Sequence, residues 1–163
     1  MSSTKNVVDH LADHLAIRSL LDRYTDGVNR RDWAAVERVF ATDGVWDCGG
    51  PTMGPMAFRF SGAANCAKGI GSMVDATPLV IQSNHAPVIH VDGNRATATS
   101  TVNELVMPPG ATQATVMWGM YFDQIVKGND GEWRFQERRF RFMWVDPTAN
   151  AGQILAQPPK PTP

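Results

Sequence analysis

Apolar residues near the start of the chain recur at helical spacing. Between Val8 and Asn29 they fall three or four positions apart, at Leu11, Leu15, Leu20, Leu21, Tyr24 and Val28. This spacing predicts an amphipathic helix that buries one face. Asp32 is a suitable N-cap for a second, shorter helix from Trp33 to Phe40. The chain is therefore expected to open with a helical hairpin.

The next stretch mixes short strands, a glycine-rich segment and a third helix. Residues 44–48 alternate between apolar and polar like a strand. The glycine- and proline-rich run at 49–55 ends that strand and is expected to form a mobile flap over a pocket. A short strand at 56–60 follows, and Ser61 is placed to cap a helix over 63–74.

After Pro78 the apolar and polar residues alternate in the manner of half-buried β-strands. The alternation predicts four long strands, at 79–91, 96–107, 112–126 and 133–145, with a hairpin turn at 92–94. Helices first and strands last indicate an α+β fold, in which a bent antiparallel sheet packs against helices on one side. One domain is expected over 1–146, and the proline-rich segment 147–163 is expected to be an extended tail.

Size and charge narrow the classes of protein to which the chain can belong. It has 163 residues and a formal net charge of -1, which suits one globular domain and offers no basic field for nucleic acid or an anionic membrane. No apolar run approaches the roughly 20 residues of a membrane helix, and the N-terminus lacks a signal-peptide core. Cys48 and Cys66 match neither a zinc-ligand spacing nor a secreted disulfide framework, so a cytoplasmic protein is expected.

Three groups of residues together resemble a known family. The first comprises Arg23-Tyr24, Asn29, Asp32-Trp33, Phe40 and 43–47, the second is Ser83-Asn84-His85, and the third runs from Tyr121 through 130–135 to Arg138. In their order along the chain they are similar to the SnoaL-like proteins of the nuclear transport factor 2-like superfamily. The resemblance covers about residues 10–146.

The resemblance implies a fold and a range of functions. The fold would be a cone of curved, mixed or antiparallel sheet that the N-terminal helices close, with a pocket inside the cone. Members include dehydratases, dehydrochlorinases, isomerases and non-catalytic binding proteins, and they usually need no metal or organic cofactor. Fold alone therefore does not decide the activity.

The resemblance also implies roles for individual residues. Tyr24 matches a pocket tyrosine that donates a hydrogen bond to an oxyanion, and His85 matches the base of the dehydratases. Arg138 matches an arginine that stabilises developing negative charge. Asn29 stands where those enzymes have the aspartate that orients the histidine. Since a neutral amide supports an imidazolium less than a carboxylate does, His85 is expected to be a weaker base here.

Each of these residues also has a structural interpretation. His85 could hydrogen-bond in the core, and Tyr24 could make a buried structural hydrogen bond. Arg138 could belong to an outward ion-pair ladder, or Arg139 could take its place if the strand contains a bulge. Asp26 is a candidate to support the histidine, but it also suits a solvated helix face.

The pocket wall is predicted from large side chains on the strands. Trp46, Met117 and Trp118 are expected to line it, because such adaptable side chains suit flat aromatic ligands. Either Cys48 or Asp47 faces the pocket with them. Neighbouring strand residues point to opposite faces, so a one-residue shift of register would exchange the two.

These observations predict a cofactor-independent lyase, of the dehydratase type, or an isomerase that acts on a hydrophobic aromatic or polycyclic small molecule. The alternatives are a non-catalytic small-molecule-binding protein and a scaffold like the small subunit of ring-hydroxylating dioxygenases. No metal, nucleic-acid or membrane partner is expected. A homodimer or homotrimer is expected, because a curved sheet leaves one outer face to cover.

Overall fold

The structure of the protein is a computed structural model that describes residues 2–49, 57–150, 152 and 154. Apart from Gly49, the flap predicted at 49–55 lies outside these residues. Of the tail predicted at 147–163, the first four positions continue the last strand, which ends at Asn150, and most of the remainder lies outside the described residues.

α1 spans Ser2–Asn29 and is the amphipathic helix that the apolar spacing predicts, with an earlier start. Its second half is buried and contributes side chains that are at most 3% exposed: Ile17, Leu20, Leu21, Tyr24 and Val28. Its first half differs from the prediction, because Leu11 and Leu15 are 59% and 62% exposed. Only the second half of the helix therefore contributes to the core.

Two shorter helices follow α1. α2 spans Trp33–Arg38 and α3 spans Ala63–Asp75. The predicted cap of α2 is confirmed, since the Asp32 side chain accepts a backbone N–H at 3.0 Å. The cap predicted for α3, Ser61, is wrong: the N-cap is Gly62, whose φ of 87° suits glycine. No described helix combines the length and the apolar character that a membrane span needs.

Seven strands form one mixed sheet. In chain order they are β1 (Phe40–Cys48), β2 (Phe58–Ser61), β3 (Leu79–Asn84), β4 (Val88–Asp92), β5 (Arg95–Met107), β6 (Ala114–Lys127) and β7 (Trp133–Asn150). Across the sheet the order is β2-β1-β7-β6-β5-β3, and β4 also pairs with β5. β1 and β7 run parallel, while the other paired strands are antiparallel. The predicted α+β fold class is confirmed.

The single strand predicted over 79–91 is wrong. The chain breaks at 85–87, between β3 and β4, and both pieces pair with the longer β5. Pro87 explains the break, because it has no backbone N–H to donate and it restricts the residue before it. The backbone N–H of His85 still donates to the Thr101 carbonyl at 2.8 Å, so the break stays attached to the sheet.

The inner face of the sheet packs against the helices and forms the core. Along β5, alternate residues from Ala96 to Val102 are buried. On β7 the inward side chains include Phe135, Arg138 and Phe140, which are at most 4% exposed. α1 and α3 cover only part of this face. The uncovered part lines a cavity, with side chains from β3, β5, β6 and β7 among its walls.

Candidate active site

A cavity of about 210 Å³ lies between the inner face of the sheet, α1 and α3. Most of its wall is apolar or aromatic and comes from Val28, Phe58, Ile70, Met73, Val74, Val80, Val106, Met117, Phe140 and Phe142. Its polar lining comes from Tyr24, Trp46, Cys48, Thr77, Gln82, Glu104 and Tyr121. Such a wall suits a mostly apolar molecule that carries a few polar groups.

Gln82, Glu104 and Tyr121 form a hydrogen-bonded group in this wall. Gln82 Nε2 donates to Glu104 Oε1 at 2.5 Å and to the Tyr121 hydroxyl at 3.0 Å. Asn29 holds Gln82 in turn: its Oδ1 accepts from the Gln82 backbone N–H at 2.7 Å, and its Nδ2 donates to the Gln82 carbonyl at 2.8 Å. Asn29 thus fastens α1 to the strand position from which Gln82 enters the cavity.

Glu104 brings a carboxyl group into this wall. On β5 it lies opposite Gln82 of β3 and Met117 of β6. Burial raises the pKa of Glu104 above its usual value, and the hydrogen bond from Gln82 opposes the rise. A carboxyl group with a raised pKa is better matched to proton transfer near neutral pH than an exposed one.

Both tyrosines of the chain lie in this wall, against a buried arginine. The guanidinium carbon of Arg138 is 3.6 Å from the ring centroid of Tyr121 and 4.2 Å from that of Tyr24. Burial raises the pKa of Tyr24 to about 12 and that of Tyr121 well above its usual value, while the charge of Arg138 opposes both rises. Both phenols therefore stay protonated at neutral pH and can donate hydrogen bonds.

Arg138 lies behind the tyrosines and does not line the cavity. It is 0% exposed, and its Nη1 donates to Asp123 Oδ2 on β6 at 2.9 Å. Burial raises the pKa of Asp123 to about 7, although the neighbouring Arg138 charge favours the ionised carboxylate. The predicted site arginine is thus paired with a buried anion.

Four of the predicted site residues line the cavity: Tyr24, Trp46, Cys48 and Met117. Cys48 faces inward, and burial raises the pKa of its thiol to about 12, so the thiolate is scarce at neutral pH. Asp47 faces the other way and forms ion pairs with Arg59, at 3.1 Å, and with Arg141. The alternation along β1 therefore assigns the cavity position to Cys48.

His85 and Trp118 lie together away from the cavity. His85 follows the end of β3 and is exposed, with Nε2 2.7 Å from Asn103 Oδ1. Its ring stacks on that of Trp118, with 5.6 Å between centroids and 14° between planes. The structure does not bring His85 to Asn29, because β3 ends before it and Asn29 is bonded to Gln82.

Other polar features also lie outside the cavity. Asp26 pairs with Arg30 at 3.2 Å on α1, and its side chain is 62% exposed.

A wider groove of about 980 Å³ runs past α2 and the turn before β7, where Asp130 pairs with Arg134 at 2.7 Å. Within the described residues, no three His, Cys, Asp or Glu side chains gather as metal ligands would.

Gln82, Glu104 and Tyr121 are cavity residues that were not predicted from the sequence. The sequence does contain a signal for Glu104. It is an even number of positions from the buried Ser100 and Val102 on β5, so its side chain points to the same inner face of the sheet. The position of Gln82 depends on where β3 ends, which the uninterrupted alternation conceals. A signal for Tyr121 is present as well, because it lies four positions after Met117 on β6 and so points to the same face of the sheet; the β5–β6 register then places it opposite the buried Ser100.

Comparison with known proteins identifies the family. A model of the SnoaL-like domain matches residues 9–139 of the chain. Among solved structures, LinA superposes with a TM-score of 0.78 at 18% sequence identity, covering 93% of this chain and 98% of LinA. No curated protein matches the sequence significantly.

Two further solved structures share the fold. A hexachlorocyclohexane dehydrochlorinase, LinA-type3 from Novosphingobium barchaimii, has a TM-score of 0.77 at 18% identity and covers 93% of this chain and 99% of its own. A putative scytalone dehydratase from Novosphingobium aromaticivorans has a TM-score of 0.70 at 20% identity, with coverage of 92% and 94%. Since the family model spans most of the sequence, the chain belongs to the SnoaL-like family.

Proposed function

We propose that the protein is a cofactor-independent lyase or isomerase that acts on an uncharged hydrophobic small molecule. The observation that carries the proposal is Glu104, a carboxyl group in the wall of a largely apolar cavity with Gln82 bonded to one of its oxygens. The relatives named as a scytalone dehydratase and a dehydrochlorinase support the lyase class. Burial of the carboxyl group supports a role in proton transfer.

The reaction begins with proton abstraction in the cavity. The Glu104 carboxylate takes a proton from a carbon next to a carbonyl group, and the electron pair moves onto the carbonyl oxygen. The Tyr24 hydroxyl donates a hydrogen bond to that oxygen and stabilises the enolate. When the β-carbon bears a leaving group, the enolate electrons form the α,β double bond, the bond to the leaving group breaks, and the leaving group departs with the proton that Glu104 took, which is the lyase outcome. When the substrate has a β,γ double bond instead, the dienolate takes the proton back from Glu104 at the γ-carbon, which is the isomerase outcome.

Glu104 takes the role that the family resemblance implies for His85. The His85 ring is exposed, stacked on Trp118 and within hydrogen-bond distance of Asn103. Glu104, in contrast, lines the cavity together with Tyr24. A general base must lie within reach of the proton that it removes, so the geometry favours the carboxylate.

The experiment compares two carboxylate variants in the same assay. Aromatic and steroid-like carbonyl compounds are screened by thermal shift, and the compounds that bind are tested for turnover. Glu104→Gln should retain binding and lose turnover by about 10²–10⁴-fold, while Glu132→Gln, which changes an exposed carboxylate, should match the wild type. Full turnover in Glu104→Gln, or its loss in His85→Ala, would contradict the assignment.

A second candidate function is ligand binding without catalysis. Among the described residues that line the cavity, Glu104 is the one group that can act as a base at neutral pH, and the position where the enzymes of the family have an aspartate is occupied by the neutral Asn29. A carrier or sensor would bind the screened compounds and leave them unchanged. Tight binding with no turnover in the wild type would favour this function over the first.

We also propose that the protein self-associates through the outer face of the sheet. Several large apolar side chains there are 38–64% exposed, among them Ile81, Val88, Trp118, Met143 and Trp144. Covering them in a dimer or trimer removes apolar surface from water. Light scattering should give a dimer or trimer mass for the wild type and a smaller one for Trp118→Glu. A monomeric wild type would refute the proposal.

A further inference from the structure

Gln82 lies in the cavity wall on β3, and its position there is fixed. The residue is 4% exposed, and the Asn29 side chain binds both its backbone N–H and its carbonyl, at 2.7 and 2.8 Å. Its side-chain Nε2 donates to Glu104 Oε1 at 2.5 Å and to the Tyr121 hydroxyl at 3.0 Å. Both N–H bonds of the amide are therefore used within the protein.

The same contacts determine which way round the amide lies. With the amide reversed, its carbonyl oxygen would lie 2.5 Å from Glu104 Oε1, and two acceptors would repel each other when the carboxyl group is ionised. The observed orientation gives both neighbours a donor. It leaves Oε1 as the one polar atom of the Gln82 side chain that is not used in these bonds.

Oε1 of Gln82 is a buried acceptor without a hydrogen-bond partner among the described residues. Two other buried oxygens, Asn84 Oδ1 and Ser100 Oγ, share this property, but neither residue lines the cavity, whereas Gln82 does. A buried acceptor that stays unpaired destabilises a fold, so most such groups have a donor. In the cavity wall, that donor can come from the ligand.

We propose that Gln82 is a specificity-determining residue, and that the ligand of the cavity carries an uncharged hydroxyl group that donates a hydrogen bond to Gln82 Oε1. The inference rests on the proposed function for the identity of the binding cavity. It adds a recognition position on β3 and a class of ligand, the hydrophobic alcohols. This hydroxyl is a donor, so it is a different group from the carbonyl oxygen that accepts from Tyr24 in the proposed reaction.

An acceptor in a largely apolar wall distinguishes between groups of similar size. A hydroxyl group supplies the donor, whereas an ether oxygen or a chlorine atom at the same place directs electron pairs at Oε1. Sites that bind a hydroxyl in this way reject analogues without it, because the buried partner is then left unpaired. An ammonium group would also donate, but it would have to lose its water shell in a wall that is mostly apolar.

The test compares ligands that differ in one group. 2-Indanol and 2-tetralol are titrated into the protein, each beside the methyl ether, the chloride and the amine of the same ring skeleton. The wild type should bind each alcohol about 10–100-fold more tightly than its ether or chloride, and more tightly than its amine. Equal affinities within a series, a preference for another member, or binding of no member would overturn the proposal.

Three variants separate the acceptor from packing. Gln82→Met keeps the length of the side chain and removes Oε1, so its preference for alcohols should be lost. The exchange variant, Gln82→Glu with Glu104→Gln, keeps an amide bonded to a carboxylate and an acceptor at position 82, so it should retain the preference. Ser100→Ala, which removes an unpartnered buried oxygen outside the cavity wall, should match the wild type.

The thermal unfolding of each variant shows whether it is folded, and the wild-type series decides the ligand class without any variant. A preference that persists in folded Gln82→Met, or disappears in the folded exchange variant, would contradict the role of Gln82. Because the readout is binding, absence of turnover with every carbonyl compound would refute the proposed function alone.

Discussion

The substitution Asn29→Asp tests how α1 is joined to β3. In the wild type the Asn29 amide accepts from the Gln82 N–H at 2.7 Å and donates to the Gln82 carbonyl at 2.8 Å. An aspartate keeps the acceptor and replaces the donor with a carboxylate oxygen that faces the carbonyl. Losing one hydrogen bond and leaving a buried carbonyl unpaired should lower the free energy of unfolding by about 2–3 kcal/mol at neutral pH.

The destabilisation caused by Asn29→Asp should be smaller at low pH, because the protonated carboxyl group of the new aspartate can donate to the Gln82 carbonyl as the Asn29 amide does. The Gln82 carbonyl disfavours the carboxylate, so the new group has a higher pKa in the folded state than its unfolded value of about 3.9. Its stabilising contribution is therefore present below the unfolded pKa and is lost as the pH rises through the folded pKa. Urea unfolding at a series of pH values measures this trend.

Asn29→Ala is the matched control for this prediction. It removes both hydrogen bonds and adds no titratable group, so its destabilisation should not depend on pH. If Asn29→Asp were as stable as the wild type at neutral pH, or destabilised equally at every pH, the contact with the Gln82 carbonyl would not be what joins the two elements.

Three further predictions concern the core and the cavity. Asp123→Asn strands the Arg138 charge and should lower the free energy of unfolding by about 3–5 kcal/mol in urea unfolding. The double variant Arg138→Met, Asp123→Leu removes both charges and should have a free energy of unfolding close to that of the wild type. Gly119→Ala would place a Cβ against the ring of Phe140, so it should lower the free energy of unfolding by about 1–3 kcal/mol, and an unchanged Tm would contradict this. Burial raises the pKa of Glu104, so the protonated carboxyl group contributes stability at low pH, and this contribution is lost as the pH rises through the folded-state pKa. Glu104→Gln has no titrating group at this position, so its Tm should depend less on pH than the Tm of the wild type does.

Local patterns predict most of the fold, because each depends on neighbouring residues. The spacing of apolar residues predicts α1, and the Asp32 cap marks the start of α2. The alternation after Pro78 predicts the strands, and the inward position of Arg138 on the face of Phe140 also follows from it. These features need no knowledge of which strand lies beside which.

The candidate site is less predictable because it depends on breaks and register. On β3 the inward residues are even-numbered, as at Gln82, whereas on β4 they are odd-numbered, as at Ile89, and the break at 85–87 makes the change. If the alternation of β4 is continued back through this segment, His85 falls on the inner face with Ile89, whereas in the structure its side chain is exposed. The pairing of Asp123 with Arg138 requires the β6–β7 register, which includes a bulge nearby that no local pattern reveals.

The place of β7 in the sheet has a consequence for how the protein is made. β7 is the last of the described strands in the chain, yet it lies between β1 and β6, with Phe135 opposite Phe40 in the parallel pair. While the ribosome is still synthesising β7, the early strands β1 and β2 have no sheet to join. Partners so distant in sequence slow folding, and the exposed strand edges of the nascent chain are open to aggregation. Chaperone protection until β7 leaves the ribosome should therefore raise the yield of native protein.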